Sequence, residues 1–136
     1  MSEEVERFLS SDRTFLAKAE GMRKHGWPDE AGRASCLAAF HGAQAIIFHR
    51  SGRILKTHQG VHSDFARIVK DLPDMDRHVW QFLRTGYDLK SIADYGTDPD
   101  GTITDDEAKT AIEDAHRFLD QAMALLASDP QAKTPG

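Results

Sequence analysis

Apolar positions recur at helical spacing along almost the whole chain. Val5, Phe8, Leu9, Phe15, Leu16, Ala19 and Met22 form one stripe, and Ala111, Ile112, Ala115, Phe118, Leu119, Ala122 and Leu126 form another. Val79, Leu83, Gly86, Lys90 and Asp94 trace a third face that begins apolar and ends polar. No segment alternates with period two, so no strand is predicted. The stretch from about Pro28 to Arg50 is apolar on most sides, through residues such as Leu37, Phe40, Ala43, Ile46 and Ile47. A helix of that kind is central rather than peripheral. Its small residues, Ala31, Gly32, Ala34, Ser35, Gly42 and Ala43, let neighbouring helices come close.

Punctuation separates these patterns. Gly26-Trp27-Pro28 divides the first two helices, with Pro28 suited to a first turn. Ser51-Gly52 ends the second, and Gly60 precedes a short helix near Val61 to Asp71. Pro73-Asp74 starts the fourth, Gly96 ends it, and Thr104 with Glu107 makes a capping box for the last. The prediction is all-α: an antiparallel up-and-down four-helix bundle with one extra short helix. Residues 1–127 form this helical domain, and 128–136, with two prolines and no core residues, form a flexible tail.

Composition narrows the partners. A chain of 136 residues is the size of one domain and long enough to bury a core without staples. The net charge is −5 with both signs interspersed, so any RNA contact must come from a local patch rather than a basic block. One cysteine, Cys36, excludes an internal disulfide and fits a reducing compartment. The acidic Met-Ser-Glu-Glu start is unlike a signal peptide, and no apolar run approaches the roughly 20 residues that span a bilayer. These features predict a cytoplasmic protein with no membrane partner.

Four constellations could carry chemistry. Lys90 and Asp94 stand four apart on one helix face, beside Tyr95. They read either as a pocket for a phosphate or ribose, or as a helix-terminal ion pair with Tyr95 packing by its ring. On the central helix, Arg33 needs a partner such as Asp94 or Tyr95. His41, eight residues on and about 80° around, is an acid or base near neutral pH or a bonded core histidine. Lys56, His58 and His62 make a cationic loop suited to an anion or a partner surface. Gly60 between the histidines argues against a regular turn there, so no metal is expected. Finally, residues 96–107 follow much of a calcium-loop pattern, with Glu107 in the twelfth place, but Gly96 stands where the first ligand belongs. The plain reading is an acidic turn before a capped helix; the other is a calcium-responsive regulator.

Together these segments resemble the HEPN superfamily (higher eukaryotes and prokaryotes nucleotide-binding), in its small stand-alone prokaryotic branch. The residues that carry the resemblance are Arg33-Ala-Ser-Cys-Leu-Ala-Ala-Phe-His41-Gly-Ala-Gln-Ala, Lys56-Thr-His-Gln-Gly-Val61 with Phe65, and Ala93-Asp94-Tyr95, followed by an acidic turn and a helix with Ala108, Ala111 and Ala115. The resemblance implies an all-α bundle, often a homodimer. It also implies a two-gene toxin–antitoxin or nucleotidyltransferase system, with a cognate antitoxin or nucleotidyltransferase protein as partner and RNA or a nucleotide as ligand. Many members are metal-independent ribonucleases built on an Arg followed four to six residues later by His. Here Lys90 stands where the branch usually has Arg, and no histidine follows it at that distance. Lys does not reproduce the bidentate guanidinium grip on phosphate. The expectation is therefore a binding module with a degenerate nuclease motif and no cofactor. Its cleft is lined by Arg33, His41, Lys90, Asp94 and Tyr95, with Lys56, His58 and His62 at the rim. The alternative is a weak ribonuclease in which Lys90 stabilises the departing phosphate and His41 is the base.

Overall fold

The computed structural model describes residues 1–72, 76–95 and 102–129, and these are helical with no strand. The elements are α1 (Glu3–Lys24), α2 (Pro28–Ser51), α3 (His58–Val69), α4 (Arg77–Trp80), α5 (Phe82–Tyr95) and α6 (Asp105–Ser128). Local chemistry sets most of their ends. Ser2 caps α1 through Val5 N–H, and Glu3, Glu4 and Glu6 sit at the positive end of its dipole. Pro28 opens α2, and Gly52 closes it with φ of +70°, a left-handed conformation that glycine adopts without strain. Thr104 and Glu107 form the expected reciprocal capping box on α6.

α2 lies at the centre, touching α1, α3, α5 and α6. Fourteen of its residues are buried, in keeping with an apolar pattern that wraps the helix. Pairing fixes the directions of its neighbours. Arg13 meets Met123, Glu20 meets His116 and Arg23 meets Asp105, so α1 and α6 run antiparallel. Arg33 reaches Asp94 at the far end of α5, so α2 and α5 are antiparallel too. The main core is knit by Phe65, Trp80 and Phe118, whose ring centroids stand 5.0–5.5 Å apart. A second cluster, built on Ala19, Ala31, Ala34, Ile103, Ala108 and Ile112, lies at the end of α2 that carries Arg33.

Three features differ from the pattern read in the sequence. The third helix begins at His58, capped by Thr57, whose Oγ1 accepts the Gly60 N–H at 3.0 Å. Gly60 therefore lies inside the first turn and does not break it, and His58 and His62 share one helix. The expected single fourth helix is interrupted at Gln81, between α4 and α5, although Gln81 keeps right-handed helical torsions. Its expected start at Pro73-Asp74 and end at Gly96 lie outside the described residues. Ser128 and Asp129, assigned to the tail, are held: Ser128 ends α6, and Asp129 lies 2.7 Å from Arg50 Nε on α2. Residues 130–136 and the first half of the acidic turn, 96–101, lie outside the described residues as well.

A carboxylic acid is buried deep in the fold. Asp12 falls in the α1 stripe between Leu9 and Leu16 and has no exposed surface. Neither carboxyl oxygen has a hydrogen-bond partner among the described residues. Gly42 of α2 passes so close that a Cβ there would stand 2.6 Å from Asp12 Oδ2 and 3.3 Å from the Phe118 ring. Burial pushes the Asp12 carboxyl up to about 8, against the pull of Arg13.

Candidate functional site

The polar end of α5 meets α2 through a single carboxylate. Asp94 accepts a hydrogen bond from Arg33 Nε at 2.6 Å on one oxygen and from Lys90 Nζ at 2.5 Å on the other. The i, i+4 spacing puts Lys90 and Asp94 on one face, and the antiparallel packing brings Arg33 to it. Arg33 also pairs with Glu30, one turn earlier on α2. All three central side chains are mostly, but not fully, shielded from solvent. Hydrogen bonds from Lys90 and then Arg33 hold the Asp94 carboxyl below its ordinary range, while Glu30 and Asp94 raise Arg33, and Asp94 raises Lys90. Two cations thus face two carboxylates, and the cluster is locally neutral. A phosphate entering here competes with Asp94 and Glu30 for the same N–H groups.

A second cluster adjoins the first. The His58 ring lies between Phe40 of α2 and Tyr87 of α5, tilted by about 40° to each, with both centroid distances 4.6 Å. His62 meets the same Tyr87 edge-on at 5.4 Å. Burial lowers both histidines, reinforced by Lys90 for His58 and by His58 and Arg84 for His62, with Asp88 opposing at His62. Both rings are therefore neutral at physiological pH. His58 Nδ1 and His62 Nε2 are buried without a partner among the described residues. Although the two histidines share a helix, no group of three metal-ligating side chains occurs among the described residues. Cys36 lies nearby on α2, and burial pushes its thiol up to about 12, so it is inert as a nucleophile.

The remaining residues singled out in the sequence fall elsewhere. His41 Nδ1 bonds Gln44 Oε1 at 2.7 Å, and Gln44 Nε2 donates to the Leu55 carbonyl at 2.8 Å. Its ring stacks on Phe15 at 5.4 Å. His41 therefore ties α2 to α1 and to the segment after α2, and no contact joins it to Arg33, Lys90 or Asp94. Tyr95 is 80% exposed, so its ring forms no wall of a cleft in this single chain. Lys56 is exposed. Of the acidic turn, Asp105 pairs with Arg23 at 2.9 Å and Glu107 is committed to the α6 cap. Sequence reasoning missed Glu30, Phe40 and Tyr87. The Glu30–Arg33 spacing was a readable signal, whereas the meeting of Phe40 and Tyr87 with His58 depends on how three helices pack.

A protein-family model for the HEPN domain matches residues 5–125. The chain belongs to the HEPN family. A search of curated proteins finds no match. HEPN membership gives the chain a nucleotide- or RNA-related role as its broad functional class. In this HEPN chain the charged ends of α2 and α5 are tied together by one bridging carboxylate, and His58 of α3 feels the charge of Lys90 in that bridge. No helix among the described residues is long and apolar enough to cross a membrane.

Proposed function

We propose that this HEPN domain is a binding module with a degenerate nuclease motif, which holds a nucleotide, an RNA or a partner protein where α2 meets α5. The observation that carries the reading is the Arg33–Asp94–Lys90 bridge. It presents two cations at a partly open surface, but with Lys90 in the place of the motif arginine and with no histidine after it. Arg33 and Lys90 supply the attraction for phosphate, and Asp94 keeps both side chains extended toward the junction. Tyr95, on the same helix end and largely exposed, is free to stack on a base or a partner ring. The four long helices are read as an up-and-down bundle that works as a homodimer. The expected setting is a two-gene system with an antitoxin or nucleotidyltransferase partner.

A second reading is a weak ribonuclease. It is favoured by His58, which feels the charge of Lys90 and meets His62, and it transfers the role of base from His41 to α3. The unpaired nitrogens of both rings are buried, which argues against it.

One experiment separates the two. Purified protein is mixed with a labelled single-stranded RNA in the presence of a chelator, and both binding and chain length are followed. Binding without cleavage is expected, weakening as salt rises. Arg33→Ala should lower affinity by about tenfold or more, since a charge-assisted contact is worth ~1.5–3 kcal/mol. A melting scan checks that the variant stays folded. Metal-independent cleavage abolished by Lys90→Ala would overturn the binding-module reading. A folded Arg33→Ala protein with unchanged affinity would remove the site.

A further inference from the structure

A concave surface of about 690 Å³ lies between α3, α4 and the start of α5, away from the Arg33–Asp94 bridge. Its apolar wall is Phe65, Val69, Leu72, Trp80 and Leu83. Lys70, Arg77 and Arg84 stand around it, and no Asp or Glu lines it among the described residues. The described lining thus carries three cations, although Asp71 and Asp76 neighbour Lys70 and Arg77 in the chain. None of the three cations forms an ion pair among the described residues, whereas Arg7, Arg23, Arg33, Arg50, Arg53, Arg67, Lys90 and Arg117 all do. Unpaired surface cations are ordinary one at a time. Lys70, Arg77 and Arg84 are all exposed, so their charges stand in solvent around the hollow and are open to an incoming anion.

Two polar atoms behind this wall have no hydrogen-bond partner among the described residues. Trp80 is only 5% exposed, and its Nε1 is buried with no acceptor among the described residues; His62, at the edge of the hollow, has a buried Nε2 likewise without a partner among them. Buried polar groups are nearly always satisfied, so two orphans beside one hollow set it apart from the rest of the surface. The volume falls within the roughly 300–1,000 Å³ usual for small-molecule sites. An apolar wall matches an acyl or aryl body, and the cations match an acid head.

We propose that the α3–α4–α5 groove binds a small amphipathic organic anion, an apolar body carrying one carboxylate or phosphate head. It is independent of the binding function proposed for the α2–α5 junction.

Trp80 is a built-in reporter, since the chain has two tryptophans and Trp27→Phe leaves it alone. Full-length Trp27→Phe protein is titrated with laurate, dodecyl phosphate, dodecanol and inorganic phosphate below micelle-forming concentrations. Laurate and dodecyl phosphate should shift Trp80 emission saturably. Dodecanol and inorganic phosphate should each bind at least about tenfold more weakly, because each lacks one half of the recognition. The Arg77→Gln/Arg84→Gln double variant should lose about tenfold in affinity and most of its salt dependence. Ala66→Phe, at an exposed position on the wall, should block binding with little effect on melting. Arg33→Ala should leave this binding intact, which separates it from the junction site. The proposal is overturned if no probe saturates, if dodecanol binds as well as laurate, if Ala66→Phe binds at full affinity, or if only an acidic peptide binds.

Discussion

Two carboxylates, Asp12 and Asp94, are placed in opposite ways in one small fold. Asp94 sits at the rim of the α2–α5 junction with a cation on each oxygen, and its carboxyl is held below the ordinary range. Asp12 sits in the core with no hydrogen-bond partner among the described residues, and burial drives it up to about 8. The same functional group is a charged clamp in one place and a neutral acid in the other. Whether a partner is present decides more than depth alone.

That contrast predicts opposite dependences on pH. A carboxyl with a raised folded pKa binds more protons in the native state than in the unfolded chain. Stability therefore falls as pH rises from the unfolded value of 3.8 toward about 8, and is flat beyond. His58 and His62, lowered in the fold, cost stability only below their unfolded value of 6.5. The Asp12 slope is therefore cleanest above that pH. The largest expected effect is there: denaturant midpoints should fall as pH rises, by up to about 1.4 kcal/mol per pH unit, and Asp12→Asn should flatten the slope. A slope unchanged in Asp12→Asn would mean that Asp12 ionises freely and that the contrast is false.

Next in size are the contacts that enclose Asp12. Gly42→Ala forces a Cβ against Asp12 Oδ2 and Phe118, and Ala43→Leu overfills a fully buried position on the same helix. Each should cost about 1–3 kcal/mol, read from chemical denaturation. Tolerance of both would show that α2 is not packed as tightly as its buried positions require.

Asp94→Ala tests the other carboxylate. It leaves Arg33 with Glu30 alone and Lys90 without its partner, so a loss of about 1 kcal/mol is expected. The wild-type contribution is present above pH 3.8 and fades as pH falls through the lower folded value, the reverse of the Asp12 effect. A pH-independent loss would mean that Asp94 acts by packing and not by charge. Tyr95→Ala should be the smallest change, within about 0.5 kcal/mol for an exposed side chain. It should nonetheless weaken RNA binding if the ring stacks on a base. A large stability loss would show that Tyr95 is structural.

Much of the fold was legible because local chemistry sets it. Period-3.6 stripes, Pro28 at a first turn, Gly52 at a left-handed cap and the Thr104–Glu107 box depend on residues within a few positions of each other. Gly60 misled because glycine is only a weak helix breaker: Thr57 caps the turn that contains it. Of the candidate site, the Lys90–Asp94 pair was readable from i, i+4 spacing, and the need of Arg33 for a partner from the apolarity around it. Which residue met Arg33, that His41 turned toward Phe15 and Gln44, and that Tyr87 joined His58 to His62 were settled by the packing of α1, α3 and α5 on α2. The unpaired state of Asp12 and the cationic groove beside Trp80 were also beyond the one-dimensional pattern. Burial, desolvation and concavity belong to surfaces brought together from distant parts of the chain, and a sequence states only which residues are available to form them.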